Sequence, residues 1–258
     1  MSQYEILSVV LSAIAIGFSV FIPLIQWIYK KFFVKPIVKY YPVGLISLLF
    51  NQSGSYIQLN GVIESEKKAV SIRKMMVTIK RNKDNQSLNL TWSNFISPVN
   101  QRLVGNNIVQ TTEFAHPFRI NEDSIATTFV EYTDPFDSFG KTFRPHVNLL
   151  VEEANQTRLF SSYYNEAKKK YTNSEKYIAA KRVLSDEFFW KVGKYDLDIV
   201  VLYNNTEQTY KYEFSISDNN YADLSSNLDE SIIVPLKNIY KKQWDFRTVN
   251  VEIKNREK

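Results

Sequence analysis

The chain has 258 residues, 44% of them hydrophobic, with 17 Phe and 16 Tyr but no Cys. That composition excludes a disordered polypeptide, a disulfide scaffold and a thiolate metal site. The net charge of +5 is largely local: residues 1–40 hold four lysines against Glu5, and the remainder balances 28 basic against 26 acidic residues, so the charge argument for a nucleic-acid partner falls away.

The first predicted element is the stretch ILSVVLSAIAIGFSVFIPLIQWI, residues 6–28, which holds no charged side chain. As a helix it reaches about 35 Å, enough to cross a hydrocarbon core of about 30 Å. Tyr4 lies near one end and Trp27 and Tyr29 at the other, where amphipathic rings suit headgroup depth. No basic residue precedes the stretch and no small-residue cleavage site ends it, so a retained anchor is expected, not a cleaved signal. Lys30, Lys31, Lys35 and Lys39 follow it. By the positive-inside rule they place the N-terminus outside and the bulk of the chain in the cytoplasm, as a single-pass protein of the cell (inner) membrane.

Ser8, Ser12, Ala15, Ser19, Ile22 and Gln26 are spaced to fall along one side of that helix. Small residues let helices approach closely in lipid, and Ser and Gln can hydrogen-bond between them. The expected partners are therefore the lipid bilayer and further copies of the chain.

Residues 1–33 then read as the anchor and 34–258 as one cytoplasmic domain. Runs at 44–50 and 55–63 flank the turn signal NQSG and read as paired strands. Residues 69–81 alternate with a phase shift near Lys74, the mark of a bulge. Further strands are expected at 87–92, 108–120 and 124–134. From about residue 140 to 192 the spacing turns helical: Thr172 and Glu175 fit a capping box, and Tyr177, Ala180, Leu184 and Phe188 share a face. Lys168, Lys169 and Lys170 read as a solvated helix end, with anionic lipid as the functional alternative. A hairpin over 195–216 follows, then a segment in which Pro235 is expected to interrupt any helix. A last strand carries Val249, Val251 and Ile253 on one face.

The simplest architecture is mainly β, an antiparallel sandwich whose strands come from both sides of a helical insertion. The stretches GKYDLDIVVLYN and YKYEFSIS resemble the late strand pair of an immunoglobulin-like sandwich in hydrophobic pattern.

Chemical signatures are sparse. His116 falls in a predicted strand, and His146 in a predicted loop after Pro145. Glu252 and Lys254 echo the acid-x-lysine pattern of metal-dependent nucleases, but at an expected strand edge. Asp196, Asp198 and Glu213 could converge across the hairpin, although Ser215 stands where that pattern wants lysine; Glu152 and Glu153 read as helix surface. No catalytic residue, metal or cofactor is expected. The leading functional expectation is a membrane-anchored binding or sensing module for a protein or small-molecule ligand, oligomeric through its span. One alternative is a membrane-disrupting effector of a bacterial anti-phage (abortive infection) system. A further one is an enzyme with an unrecognised site, of metal-dependent hydrolase type.

Overall fold

The computed structural model describes residues 3–104 and 107–256. Helix α1 (Gln3–Phe32) is followed by β1 (Ile37–Asn51) and β2 (Gly54–Glu66), a hairpin turned by Gln52 and Ser53. Next come β3 (Val70–Arg81), β4 (Ser87–Val104), β5 (Asn107–Phe114), β6 (Phe118–Ile120) and β7 (Ser124–Thr133). Three helices interrupt the strands: α2 (Ser138–Phe160), α3 (Tyr164–Thr172) and α4 (Glu175–Glu187). The chain then forms β8 (Gly193–Tyr203), β9 (Thr206–Ile216), α5 (Asp218–Ile239), β10 (Val249–Glu252) and β11 (Lys254–Asn255).

Strands do come from both sides of the helical insertion, but not as two facing sheets. All described strands join one antiparallel sheet in the order β10-β1-β2-β7-β4-β3-β8-β9-β11, with β5 on β4 and β6 on β3. The immunoglobulin-like sandwich gives way to a nearly barrel-like arrangement. The alternation allows it: β2, β8, the second half of β7 and, with one change of phase, β3 bury every second residue. One curled sheet can bury all those faces against each other without a second layer.

The C-terminal segment all but closes the ring. β10 pairs with β1, from Leu45↔Glu252 to Leu48↔Val249, and β11 pairs with β9 one residue further on. The crossing occurs at a register shift in β1 between Pro42 and Ile46. There Gly44 takes φ +78°, a left-handed backbone that glycine adopts without strain, and its carbonyl accepts from Ile253 N–H at 2.9 Å. Below that point β1 and β9 meet through side chains: Tyr210 Oη donates to Val38 O (2.7 Å) and Tyr212 Oη to Tyr40 O (3.2 Å).

The interior is filled. Ile46, Leu48, Ile57, Leu59, Ile63, Met75, Val77, Ile79, Val130, Tyr132, Leu197 and Ile199 are fully or almost fully buried. Small barrels of this kind are packed cores. Val249, Val251 and Ile253 line the same core, as their spacing predicts. The phase shift expected near Lys74 is present as a register shift between Ile72 and Lys74. The predicted strand at 87–92 continues to Val104, and the run at 108–120 is broken at residues 115–117.

The helices pack on one end of the barrel, keyed by the β1–β2 hairpin tip. Phe50 sits between the rings of Phe139 (5.6 Å) and Phe188 (5.0 Å), and Trp190 Nε1 donates to Leu49 O at 3.0 Å. Arg81, 5% exposed, ties the end of β3 to the same layer by donating to Phe189 O at 2.6 Å. Its remaining N–H groups hold Asp84 and Gln86, and the bond to Arg81 keeps the Asp84 carboxyl below the usual carboxylate range.

Three helical expectations are corrected. The cap of α4 is Ser174, whose Oγ accepts from Tyr177 N, while Thr172 belongs to α3 and donates back to Lys168 O. His146 lies within α2, which continues past Pro145. Helix α5 continues past Pro235. A proline cannot donate to the carbonyl four residues earlier, here Ser231 O. That carbonyl instead accepts from Gln52 Nε2 at 2.8 Å, and its neighbour Ile232 O from Tyr171 Oη at 2.9 Å. Because Ser231 is buried, Gln52→Ala should leave an unpaired carbonyl and cost about 1–3 kcal/mol, read as a lower urea midpoint of the full-length protein in detergent.

Candidate functional site

Helix α1 is the feature that the rest of the fold does not account for. Its window Val10–Phe32, 23 residues, has a mean hydropathy of 2.0, and none of it is buried within the protein. Ile16, Phe18, Val20 and Phe21 point to different sides of the helix and are each more than half exposed. A helix this apolar around most of its circumference is stable only when lipid or protein covers it. By length and composition, then, this is one N-terminal helix able to cross a membrane.

The predicted packing residues Ser8, Ser12, Ala15, Ser19, Ile22 and Gln26 are all exposed along it. Ser19 Oγ is satisfied within the helix by Ile16 O at 2.8 Å. The Gln26 amide has no hydrogen-bond partner among the described residues, and such a group in lipid favours a neighbouring helix.

The four flanking lysines have different fates. Lys30 reaches Glu122 at 2.6 Å, and Lys31 lies over the Trp27 ring at 4.5 Å. Lys35 is exposed, and Lys39, inside β1, is paired with Glu66 across the sheet. A fifth cation, which sequence reading passed over, completes the junction: Lys68 Nζ donates to Lys31 O at 3.0 Å. This position suits a cation, since the carbonyls of a helix C-terminus carry partial negative charge. Lys67 N donates to Asp123 Oδ1 at 3.0 Å, joining the β2–β3 and β6–β7 turns beneath the end of α1. The helix therefore enters the barrel at one end and the helical layer covers the other, with the length of β3 between Lys68 and Arg81.

The carboxylate patterns resolve into ion pairs. Asp196 and Asp198 face Arg256, whose guanidinium bridges them at 2.8 and 3.0 Å. Glu213 lies opposite Asp196 in register, and Lys194 opposite Ser215. Glu252 and Lys254 are 3.4 Å apart and both about two-thirds exposed. They flank a polar hollow of about 460 Å³ where the C-terminal segment changes partner strands. Glu152 and Glu153 share Lys176 at 3.6 and 3.7 Å. His116 is exposed, with Nδ1 3.2 Å from Phe114 O, and the ring of His146 stacks on that of Phe143. Among the described residues, no group of three or more His, Asp or Glu is arranged to hold a metal ion.

No protein-family model and no curated protein matches the sequence. Among solved structures, similarity is found to a family 123 glycoside hydrolase from Clostridium perfringens, described for glycolipid glycan hydrolysis, at 8% identity and a TM-score of 0.28. It covers 69% of this chain and 26% of that one, so the chain spans about a quarter of that protein's length. A likeness of that size assigns neither a fold nor an activity to this chain.

Proposed function

We propose that the protein is a single-pass membrane-anchored binding module, with its N-terminus outside, its barrel in the cytoplasm, and its spans associated along the Ser8–Gln26 seam. One observation carries the reading: α1 is long and apolar enough to cross a membrane, and the rest of the chain covers none of its apolar window. Two further features support it. Lys30–Glu122 and Lys68–Lys31 O fasten the helix end to the barrel, so events at the barrel and in the span are mechanically joined. The barrel interior is packed with side chains, which leaves its surface and helical layer to meet ligands.

Replacing Ser12, Ser19 and Gln26 together by Leu makes the helix more apolar, so its ability to span is kept, and removes the small and polar contacts. The wild-type protein in mild detergent should cross-link as an oligomer and the triple variant mainly as a monomer. Contacts of this kind contribute roughly 0.6–2 kcal/mol each. Equal cross-linking of the two forms would remove the seam from the proposal. Digestion of the barrel by protease added outside intact cells would reverse the orientation. Growth arrest on expression of wild type but not the triple variant would instead favour a membrane-disrupting effector.

A further inference from the structure

A second unexplained surface lies in the helical layer. Where α2 ends, α3 begins and the chain leaves α5, four large apolar side chains stand in solvent: Leu159 (85% exposed), Phe160 (73%), Tyr163 (73%) and Trp244 (55%). The corner is built, not frayed. Tyr240 Oη donates to Ser161 O at 2.5 Å, the rings of Tyr164 and Tyr240 meet at 5.8 Å, and Trp244 Nε1 donates to Asn238 Oδ1 at 2.8 Å. An open hollow of about 690 Å³ lies beside Trp244, lined also by Asn238, Lys241, Lys242 and Gln243.

The same corner carries an excess of positive charge. Arg158, Lys168, Lys169, Lys170, Lys241 and Lys242 are exposed, and none forms an ion pair among the described residues. The neighbouring cations differ: Lys176, Lys181 and Lys237 are matched to Glu152 and Glu153, to Asp229 and to Glu230. Lys170 Nζ lies 3.3 Å from the Phe160 ring centroid and Lys242 Nζ 5.7 Å from that of Tyr164, so cations and rings are interleaved. Exposed apolar clusters mark interaction sites, and aromatic anchors at interfaces carry much of their energy.

We infer that this corner binds an acidic polypeptide segment carrying an apolar or aromatic anchor. The anchor fills the hollow beside Trp244, and the segment's carboxylates meet exposed cations that hold no ion pair, Lys241 and Lys242 beside that hollow and Lys170 over the Phe160 ring among them. The membrane that would hold α1 is the wrong occupant. Helix α3 packs mainly on the other helices, at the end of the barrel away from α1. Strands of the length of β3 put roughly 30 Å between the two ends, several Debye lengths at physiological salt. The inference rests on the binding-module reading, but does not require the spans to associate.

The test uses full-length protein in detergent and a display library of random twelve-residue peptides. Selection on wild type should enrich sequences rich in Asp and Glu around a Leu, Phe or Trp. Binding of the enriched peptides should fall about tenfold or more with raised salt, with Lys168, Lys169 and Lys170 changed to Glu, and separately with Phe160→Ser plus Trp244→Ser. All these side chains are exposed, so unchanged thermal unfolding of the variants confirms their folding. Failure to enrich, enrichment without acidic bias, or binding that survives both variants overturns the inference. Capture of phosphatidylcholine vesicles containing one-fifth phosphatidylserine, lost in the same variants, would also overturn it, in favour of an opposing membrane. Such a failure leaves the anchoring proposal standing, since cross-linking and protease access test that separately.

Discussion

Replacing Trp190 by alanine should cost about 3–5 kcal/mol, enough to erase much of the stability of an ordinary domain. Trp190 is fully buried where the helical layer meets the barrel, against Phe189 at 5.2 Å and Tyr195 at 6.2 Å. Its indole N–H also satisfies the carbonyl of Leu49 at the hairpin tip. Alanine removes the packed volume, leaves a cavity and orphans that carbonyl. Trp190→Phe retains most of the apolar area and loses the hydrogen bond, so it should cost about 1–3 kcal/mol. Urea unfolding of the full-length protein in detergent, followed by circular dichroism, gives both values. A loss below about 1 kcal/mol for the alanine variant would mean that the helical layer is not keyed to the barrel through this ring.

The second large effect is expected at Gly61, in the middle of β2. Its backbone is ordinary, so conformational freedom is not the reason for glycine here. The reason is Tyr40 on the neighbouring strand: a Cβ at residue 61 would come within 2.5 Å of Tyr40 Cζ and 2.7 Å of Cε2, atoms that are themselves buried. Gly61→Ala should therefore destabilise by about 1–3 kcal/mol through overpacking. Among the described residues the Tyr40 hydroxyl has no hydrogen-bond partner, so Tyr40→Phe alone should be neutral or stabilising despite being a deletion in the core. Shrinking the ring to Leu should rescue the alanine variant. The double-mutant cycle then shows a coupling of about 0.5–3 kcal/mol, with the pair more stable than the sum of the singles. Additivity would disprove the steric account.

Individual strands could be read from the chain because alternation reports one buried face, and it did so for β1, β2, β3, β7, β8 and β9. What that face packs against is a different kind of information. Alternation is the same for a sandwich and a barrel. The distinction rests on partners such as Leu48↔Val249, which lie far apart in sequence. The misreading of Pro235 has the same root: the side chain that rescues the freed carbonyl is Gln52, 179 residues earlier. At α4 the error was local. Thr172 and Glu175 satisfy the capping pattern, but α3 runs on through Thr172, and Ser174 is the first free side chain that can serve.

The candidate site divides in the same way. The long apolar helix and the lysines that follow it are contiguous in sequence and legible there. Lys68 at the helix end is not, because the hairpin β1–β2 intervenes. The cationic aromatic corner gathers residues 158–170 and 241–244, and only the lysine run at 168–170 stands out in the sequence, where it suggests anionic lipid.

The bridging role of the C-terminal segment has a consequence for biogenesis. β1 emerges from the ribosome directly behind the apolar helix, yet the residue that pairs with Leu48 is synthesised about two hundred positions later. At translation rates of about 5–20 residues per second, that is a delay of roughly 10–40 s. During that interval the nascent β1–β2 hairpin keeps a bare hydrogen-bonding edge, and, under the anchoring proposal, the helix partitions into lipid beside it. Such an edge invites pairing with the same edge of a neighbouring nascent chain. Under that proposal insertion precedes ring closure, and a chaperone acting on this protein would be needed in that window more than at any later stage.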